Sequence, residues 1–307
     1  MNRATLALLL AMLAWGTSVT VADAALAELS AADLLLLETL AGTGAVVLAC
    51  LATGRPVTGA WRPAFALGSL EPGIAYVFAN LGLALTAAAV GSMLLALESV
   101  FVVLLAWLML AQKPLRVEVY ALGLGVAGAV LVASGESGGT SSGLGAAFIV
   151  LSAVGAAAYA IVSRQVVGGH EPIALVARQG MASLVVTTPF TLGSWLVQGS
   201  RIPEASVSAL GLAALTGLLG FALPFTLWTV AIPYVRPGFA AVSLNVIPVV
   251  GVLSAALLGR GLPHGTQLFG GALILGGLVL LTRAELADEV AASDHPVNLR
   301  PAWETGG

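Results

Sequence analysis

The sequence predicts an all-α polytopic membrane protein, with ten transmembrane helices arranged as two inverted five-helix repeats. Three observations carry this. Hydrophobic residues make up 59% of the 307 and charged residues 9%, whereas a soluble domain is about a quarter charged. Apolar stretches of roughly 20 residues, the length that crosses the hydrocarbon core, recur between short polar breaks. The second half of the chain then echoes the first.

The predicted crossings are 4–22, 32–53, 64–83, 90–111, 117–134, 143–163, 172–197, 208–230, 238–259 and 266–283. The first begins with Arg3 and closes on Ala22-Asp23-Ala24, a pattern shared with cleaved signal peptides. Its full spanning length makes a retained first helix the expectation. With the N terminus inside, Arg3, Arg55, Arg62, Lys113, Arg116, Arg164, Arg236, Arg283 and Arg300 fall on inner loops and ends. Only Arg201 and Arg260 fall outside, where Asp23, Glu28, Glu136 and Glu204 also lie. This positive-inside bias predicts a multi-pass protein of the plasma membrane with both termini cytoplasmic. Its surroundings are then the lipid bilayer.

Other classes fit poorly. No basic patch suggests nucleic acid. Cys50 is the only cysteine, so no intrachain disulfide forms. His170, His264 and His295 have no ligand-like neighbours at metal spacing. Lys113, the only lysine, sits in Gln-Lys-Pro rather than in a Walker loop. No cofactor and no metal are assigned, and oligomeric state is not readable.

Residues 135–142, rich in Gly and Ser, form a linker between the halves, 4–134 and 143–283. Residues 284–307, acidic and then Pro- and Gly-containing, are expected to be a disordered cytoplasmic tail. At an offset of 147, Gly73 matches Gly220, Ala75 matches Ala222, Phe78 matches Phe225, Ala84 matches Ala231 and Gly123 matches Gly270. Five crossings per half is an odd number, so the halves have opposite orientation. Such inverted repeats are a transporter signature, with binding sites at the midplane where helices are broken. Glu71-Pro72-Gly73 in segment 3, Pro224 in segment 8 and Pro248 in segment 9 supply the breaks, because proline removes a backbone donor.

The sequence resembles the drug/metabolite transporter superfamily, in its EamA branch, over nearly the whole chain. The residues that carry the resemblance are Ala14-Trp15-Gly16, Glu71-Pro72-Gly73-Ile74-Ala75-Tyr76, Leu97-Glu98-Ser99-Val100-Phe101, Ala158-Tyr159-Ala160, Pro248-Val249 and Gln267-Leu268-Phe269-Gly270. It implies two EamA-like five-helix repeats and a secondary transporter of small metabolites such as amino acids, an exporter by preference, working by alternating access. There are departures. Family members often end segments 4 and 9 with Gly-Glu; here Ala111-Gln112 and Arg260-Gly261 stand there. The 147 offset sets Glu98 beside Asn245, whereas the family pattern sets Ser99 beside Pro248. Where members usually carry an Arg early in segments 2 and 7, this chain has Glu38 and Arg178.

Four charges fall inside crossings: Glu38, Glu71, Glu98 and Arg178. Charges at membrane depth are expensive and read as functional by default, so these four are the candidates for coupling or gating. Glu98 also joins the substrate-binding set. It either exchanges a proton, meets a cationic group of a small-molecule substrate or pairs with Arg178. Glu38 and Arg178 lie near enough to helix ends to snorkel instead. Asn80 and Asn245 can fix a substrate by hydrogen bonds or tie helices together. Trp15, Tyr76, Tyr159, Phe221 and Trp228 complete the candidate cavity lining, with plain packing as the competing reading. Gly123-Leu-Gly125-Val-Ala-Gly128 matches a dinucleotide fingerprint, but it lies in a membrane helix and reads as close packing. An intramembrane enzyme acting on a lipid would need a cluster of acids or histidines at one membrane face. A scaffold or receptor would need longer loops. Neither is visible.

Overall fold

The computed structural model describes residues 3–83, 85, 94–134, 142–258 and 264–294, and helix is the only regular structure among them. Helix α1 spans Arg3–Ala25 and α2 spans Ala31–Ala52. The third crossing is divided into α3, Trp61–Gly68, and α4, Ala75–Leu83, by a π-helical turn at Ser69–Ile74. Then follow α5, Leu97–Leu110; α6, Arg116–Ser134; α7, Gly143–Val166; and α8, Pro172–Gln198. The eighth crossing is α9, Val207–Gly217, a second π turn at Leu218–Ala222, and α10, Leu223–Ala231. The ninth is α11, Pro237–Leu244, and α12, Val246–Leu257, which meet at Asn245. The tenth is α13, Gly265–Asp294.

All ten predicted crossings therefore correspond to helical segments. Seven stretches are long and apolar enough to cross a membrane by themselves. The other three are the divided third crossing, the fourth, whose continuous helix is Leu97–Leu110, and the fifth, Arg116–Ser134. Predicted residues 90–93 and 259, linker residues 135–141 and residues 295–307 lie outside the described residues. The tail expectation needs one correction. Helix α13 runs on through Asp294, because Ala284-Glu-Leu-Ala-Asp-Glu-Val-Ala-Ala is built from strong helix formers.

Side chains sort as a bilayer demands. Leu196, Leu257, Val207 and Leu48 face outward, Leu196 at 90% exposure, because lipid is as apolar as they are. The interior is rich in Ala, Ser and Thr, which let helix backbones approach. Its hydroxyls mostly close on their own helix, as Thr39 does on the Leu35 carbonyl at 2.6 Å and Thr187 on that of Ser183 at 3.0 Å.

The packing has a two-fold pattern. Helix α1 packs on α12 and α10, in crossings nine and eight; α7 packs on α5 and α4, in crossings four and three. Helix α2 packs on α8, and α6 on α13, each pairing a crossing with its counterpart five places on. Helix α1 is thus part of the bundle interior: a Cβ on Gly16 would stand 2.7 Å from the Ile247 carbonyl. The glycine motif of the fifth crossing serves packing. A Cβ on Gly128 would lie 2.4 Å from the Gly270 carbonyl, and one on Gly125 would lie 2.8 Å from Asn245 Nδ2.

Polar ties hold the two ends. On the arginine-rich face, Arg55 pairs with Glu171, and Arg236 Nε meets Glu118 Oε1 at 2.8 Å. Arg164 Nη1 donates to the carbonyls of Ile232, at 2.8 Å, and Val235. On the opposite face Asp33 is fully buried. It accepts from Ser30 Oγ at 2.6 Å, Trp195 Nε1 at 2.7 Å, Ser200 Oγ at 2.8 Å and the Arg201 amide at 3.0 Å. Nearby, two hydrogen bonds from Ser206 hold the Glu28 carboxyl below its usual pKa.

Candidate functional site

The two π turns decide where the site lies. In the third crossing Pro72 has no N–H, and Glu71 takes extended backbone angles, φ −148 and ψ 131. The regular ladder is interrupted there, and carbonyls are freed at membrane depth, where each needs a partner. The Glu71 carbonyl accepts from Gln179 Nε2, on α8, at 2.9 Å. In the eighth crossing the Gly220 carbonyl accepts from Trp15 Nε1, on α1, at 2.8 Å. Each break is thus capped by a side chain from the other half of the chain. Local π turns of this kind occur often at functional sites.

The breaks also resolve the register. The π turns begin at Ser69 and Leu218, and the fourth and ninth crossings turn at Ala96 and Asn245. Both pairs coincide when the halves are slid two residues from the 147 offset. That is the register that sets Ser99 beside Pro248.

Around the first break three acids converge. Glu38, Glu71 and Glu98 all lie within electrostatic reach of the Tyr76 hydroxyl, and Glu71 also feels Glu98 directly. All three are partly exposed. None forms an ion pair or hydrogen bond through its carboxylate among the described residues, and no cation enters their surroundings. Asn80, one turn beyond Tyr76, donates to the Tyr76 carbonyl at 2.9 Å and is half-buried.

Tyr159, within electrostatic reach of Glu71, belongs to an aromatic cluster. Trp15 meets Phe225 edge-on at 5.2 Å and Trp228 at 5.9 Å between ring centroids. Tyr159 lies 5.3 Å from Phe225, and Phe221 lies 5.1 Å from Phe225. Trp228 Nε1 donates to Ser163 Oγ at 3.0 Å. Trp15 is half-buried and Tyr76 partly exposed, whereas Tyr159, Phe221 and Trp228 are fully buried. The predicted lining thus separates into an accessible layer and an aromatic floor.

Two predicted residues sit elsewhere. Arg178 does not pair with Glu98. Its Nη1 donates to the carbonyls of Val57 at 3.0 Å and Thr58 at 2.9 Å, in the loop between α2 and α3 on the arginine-rich face. It lies close enough to the helix end to reach that loop, whose carbonyls take its Nη1, while its Nε is buried without a hydrogen-bond partner among the described residues. Asn245 is buried at the α11–α12 turn. Its Oδ1 accepts from Ser99 Oγ at 3.4 Å, and it reaches back to the Ala241 carbonyl, so it ties the fourth crossing to the ninth. Sequence reasoning passed over Phe225, the hub of the floor, and Gln179, Thr229 and Asp33. Only Asp33 left a signal, the Ser30-x-x-Asp33 capping box.

A ten-helix bundle of two inverted halves, broken at mid-depth and capped reciprocally, is the architecture of a membrane transporter. The EamA-like transporter family model matches residues 2–134 and again residues 143–283, and the chain belongs to that family. A protein of Streptantibioticus cattleyicolor named "Probable terminal-alkyne amino-acid exporter" is 26% identical over 218 residues, 71% of each chain. An "Uncharacterized transporter" of Archaeoglobus fulgidus is 24% identical over 220 residues, 71% of this chain and 76% of that one. One solved crystal structure of a protein superposes with a TM-score of 0.77 at 21% identity, over 92% of this chain and 96% of the other. It shares the fold.

Proposed function

We propose that this membrane transporter is a secondary exporter of small metabolites such as amino acids, working by alternating access across the cytoplasmic membrane. The observation that carries the reading is the convergence of Glu38, Glu71 and Glu98 on Tyr76 at the break of the third crossing. Three carboxylates without a cation partner among the described residues, at membrane depth, stand against a cost of roughly 2.5–3.5 kcal/mol each on insertion scales. Proton binding or a cationic substrate group offsets that cost. Half-buried Trp15, backed by the aromatic floor of Tyr159, Phe225 and Trp228, suits the apolar body of such a molecule. The amino-acid exporter among the relatives supports the substrate class. The arginine-rich face, which carries the N terminus, is the cytoplasmic one by the positive-inside rule, and both termini lie there. No step is assigned to the protein as an enzyme.

The test is substrate-stimulated counterflow in proteoliposomes, run against a panel of amino acids and amines at two pH values. The expected result is saturable exchange of at least one amino compound, with a pH dependence that Glu98→Gln flattens. Absence of flux for every compound overturns the reading. An unchanged pH profile in Glu98→Gln overturns proton coupling through that residue.

A further inference from the structure

Arg178 is a buried cation without a counter-charge. It is 3% exposed, and among the described residues no carboxylate lies within ion-pair distance of it. On the same face Glu171 is taken by Arg55 and Glu118 by Arg236. Arg178 Nη1 is held by two carbonyls of one loop, Val57 at 3.0 Å and Thr58 at 2.9 Å. Its Nε is buried and has no hydrogen-bond partner among the described residues. Taking a guanidinium out of water is costly, and two carbonyl dipoles on one of its three nitrogens offset only part of that cost.

The loop is a strap laid over the guanidinium. It runs from Gly54 to Ala60, mostly exposed, and carries a glycine at positive φ towards each end, Gly54 at 66° and Gly59 at 147°. Other residues are strained at such angles. A Cβ on Gly59 would stand 3.0 Å from Arg178 Nη1 and 3.3 Å from Nη2, so the strap's backbone lies against the charge. The strap leads directly into α3. The far end of α3 is held by the next residue of α8: Gln179 Nε2 donates to the Glu71 carbonyl at 2.9 Å, and a Cβ on Gly68 would stand 2.2 Å from the Gln179 carbonyl. Two neighbouring residues of α8 thus hold α3 at its start and at the break that ends it.

The ligand follows from the edge left over. A guanidinium offers five N–H donors in a fixed fork and no acceptor. With Nη1 on the strap, the edge formed by Nε and Nη2 remains, and it fits a carboxylate through two parallel bonds. A cation would meet like charge. A phosphate, with up to two charges, would call for a second cation, and Arg55 is engaged with Glu171.

We propose that Arg178 is a docking site for a carboxylate on the arginine-rich face, and that the incoming carboxylate displaces the Val57–Gly59 strap from the guanidinium. The carboxylate is that of the transported molecule, an assignment that rests on the transporter reading. Glu71 lies beyond the eight residues of α3, about 12 Å further along at 1.5 Å per residue. Arg178 is therefore a first contact for the substrate, outside the midplane site, and the freed strap loosens one of the two holds on α3.

Trp61, the first residue of α3 and half-exposed, reports on the strap. Full-length protein in detergent is titrated with sodium acetate, standing in for the substrate carboxylate, ionic strength being held with sodium chloride. Tryptophan emission is followed. The expected result is a saturable change that Trp61→Phe removes. Arg178→Lys keeps the charge but not the fork, and raises the midpoint about tenfold or more. Pro56→Gly loosens the strap without touching Arg178. It lowers the midpoint about twofold to fivefold, because strap and carboxylate compete for one guanidinium. A folding defect does not tighten binding. No saturable response to acetate overturns the proposal, as does a midpoint unmoved in Arg178→Lys. A change that persists in Trp61→Phe, or a midpoint not lowered in Pro56→Gly, overturns the exchange with the strap. Binding is read without transport, so absent binding with intact counterflow overturns the docking site alone. Absent counterflow with intact acetate binding overturns the transporter reading alone.

Discussion

Gly16 and Gly44 show how differently two glycines of one bundle are used. A Cβ on Gly16 would sit 2.4 Å from Val250 Cβ and 2.7 Å from the Ile247 carbonyl, whereas Gly44 has nothing within 4 Å of that position. Gly16→Leu is expected to lose roughly 1–3 kcal/mol or more by overpacking, and Gly44→Ala to leave stability unchanged or slightly raised. Thermal unfolding of the two variants in detergent checks the contrast. Asp33 works oppositely, by what it accepts. Asp33→Ala strands the donors of Trp195, Ser200 and Arg201, at a cost of at least roughly 2 kcal/mol, and shows as a lowered unfolding temperature. Residue identity at the site was partly legible. Acids at membrane depth and aromatics in apolar helices stand out in a sequence, and Glu71, Glu98 and Tyr76 do lie within electrostatic reach of one another at the break of the third crossing, with Trp15 at that of the eighth. Gln179 and Thr229 did not stand out, because a neutral polar residue in an apolar helix has no pattern of its own. Its role depends on which helix lies opposite. Arg178 was visible but misleading, since only the fold shows that its Nη1 goes to the Val57 and Thr58 carbonyls.

At the scale of elements, the breaks in crossings three and eight were announced by Pro72 and Pro224. What the sequence could not place was the register between the halves. Gly and Ala recur so often in apolar segments that a slide of two residues costs few matches. The π turns remove that ambiguity, because a freed carbonyl must meet a donor, and only one register gives Glu71 and Gly220 theirs. Trp15→Phe tests this account of the eighth crossing. It keeps an aromatic ring edge-on to Phe225 and Trp228 but removes the donor to the Gly220 carbonyl. The expected loss is about 1–2 kcal/mol, with faster amide hydrogen exchange around Leu218–Ala222. Unchanged exchange there would mean the carbonyl does not depend on Trp15. The tail is a smaller lesson of the same kind: its acidic character masked a helix-forming stretch that carries α13 to Asp294.

For the molecule as a whole, the halves are tied on both faces: by ion pairs on the arginine-rich one and by Asp33 and Glu28 on the other. Glu118 is almost fully buried and Arg236 half-exposed, and Glu118 also accepts from the Leu115 amide at 2.6 Å. The pair joins the start of the fifth crossing to the start of the ninth. A half-buried pair of this kind contributes about 1 kcal/mol, so Glu118→Gln is expected to populate the state open on that face roughly fivefold more. The central claim is that the accessible layer around Tyr76 is reached from one face at a time. The direct measurement is labelling of Tyr76→Cys, in a Cys50→Ala background, by a membrane-impermeant maleimide applied to either side of oriented proteoliposomes. Without constraint, the account predicts reaction from both sides. With Glu118→Cys and Arg236→Cys crosslinked, it predicts reaction only from the side opposite the arginine-rich face. Equal labelling from both sides despite the crosslink would contradict it.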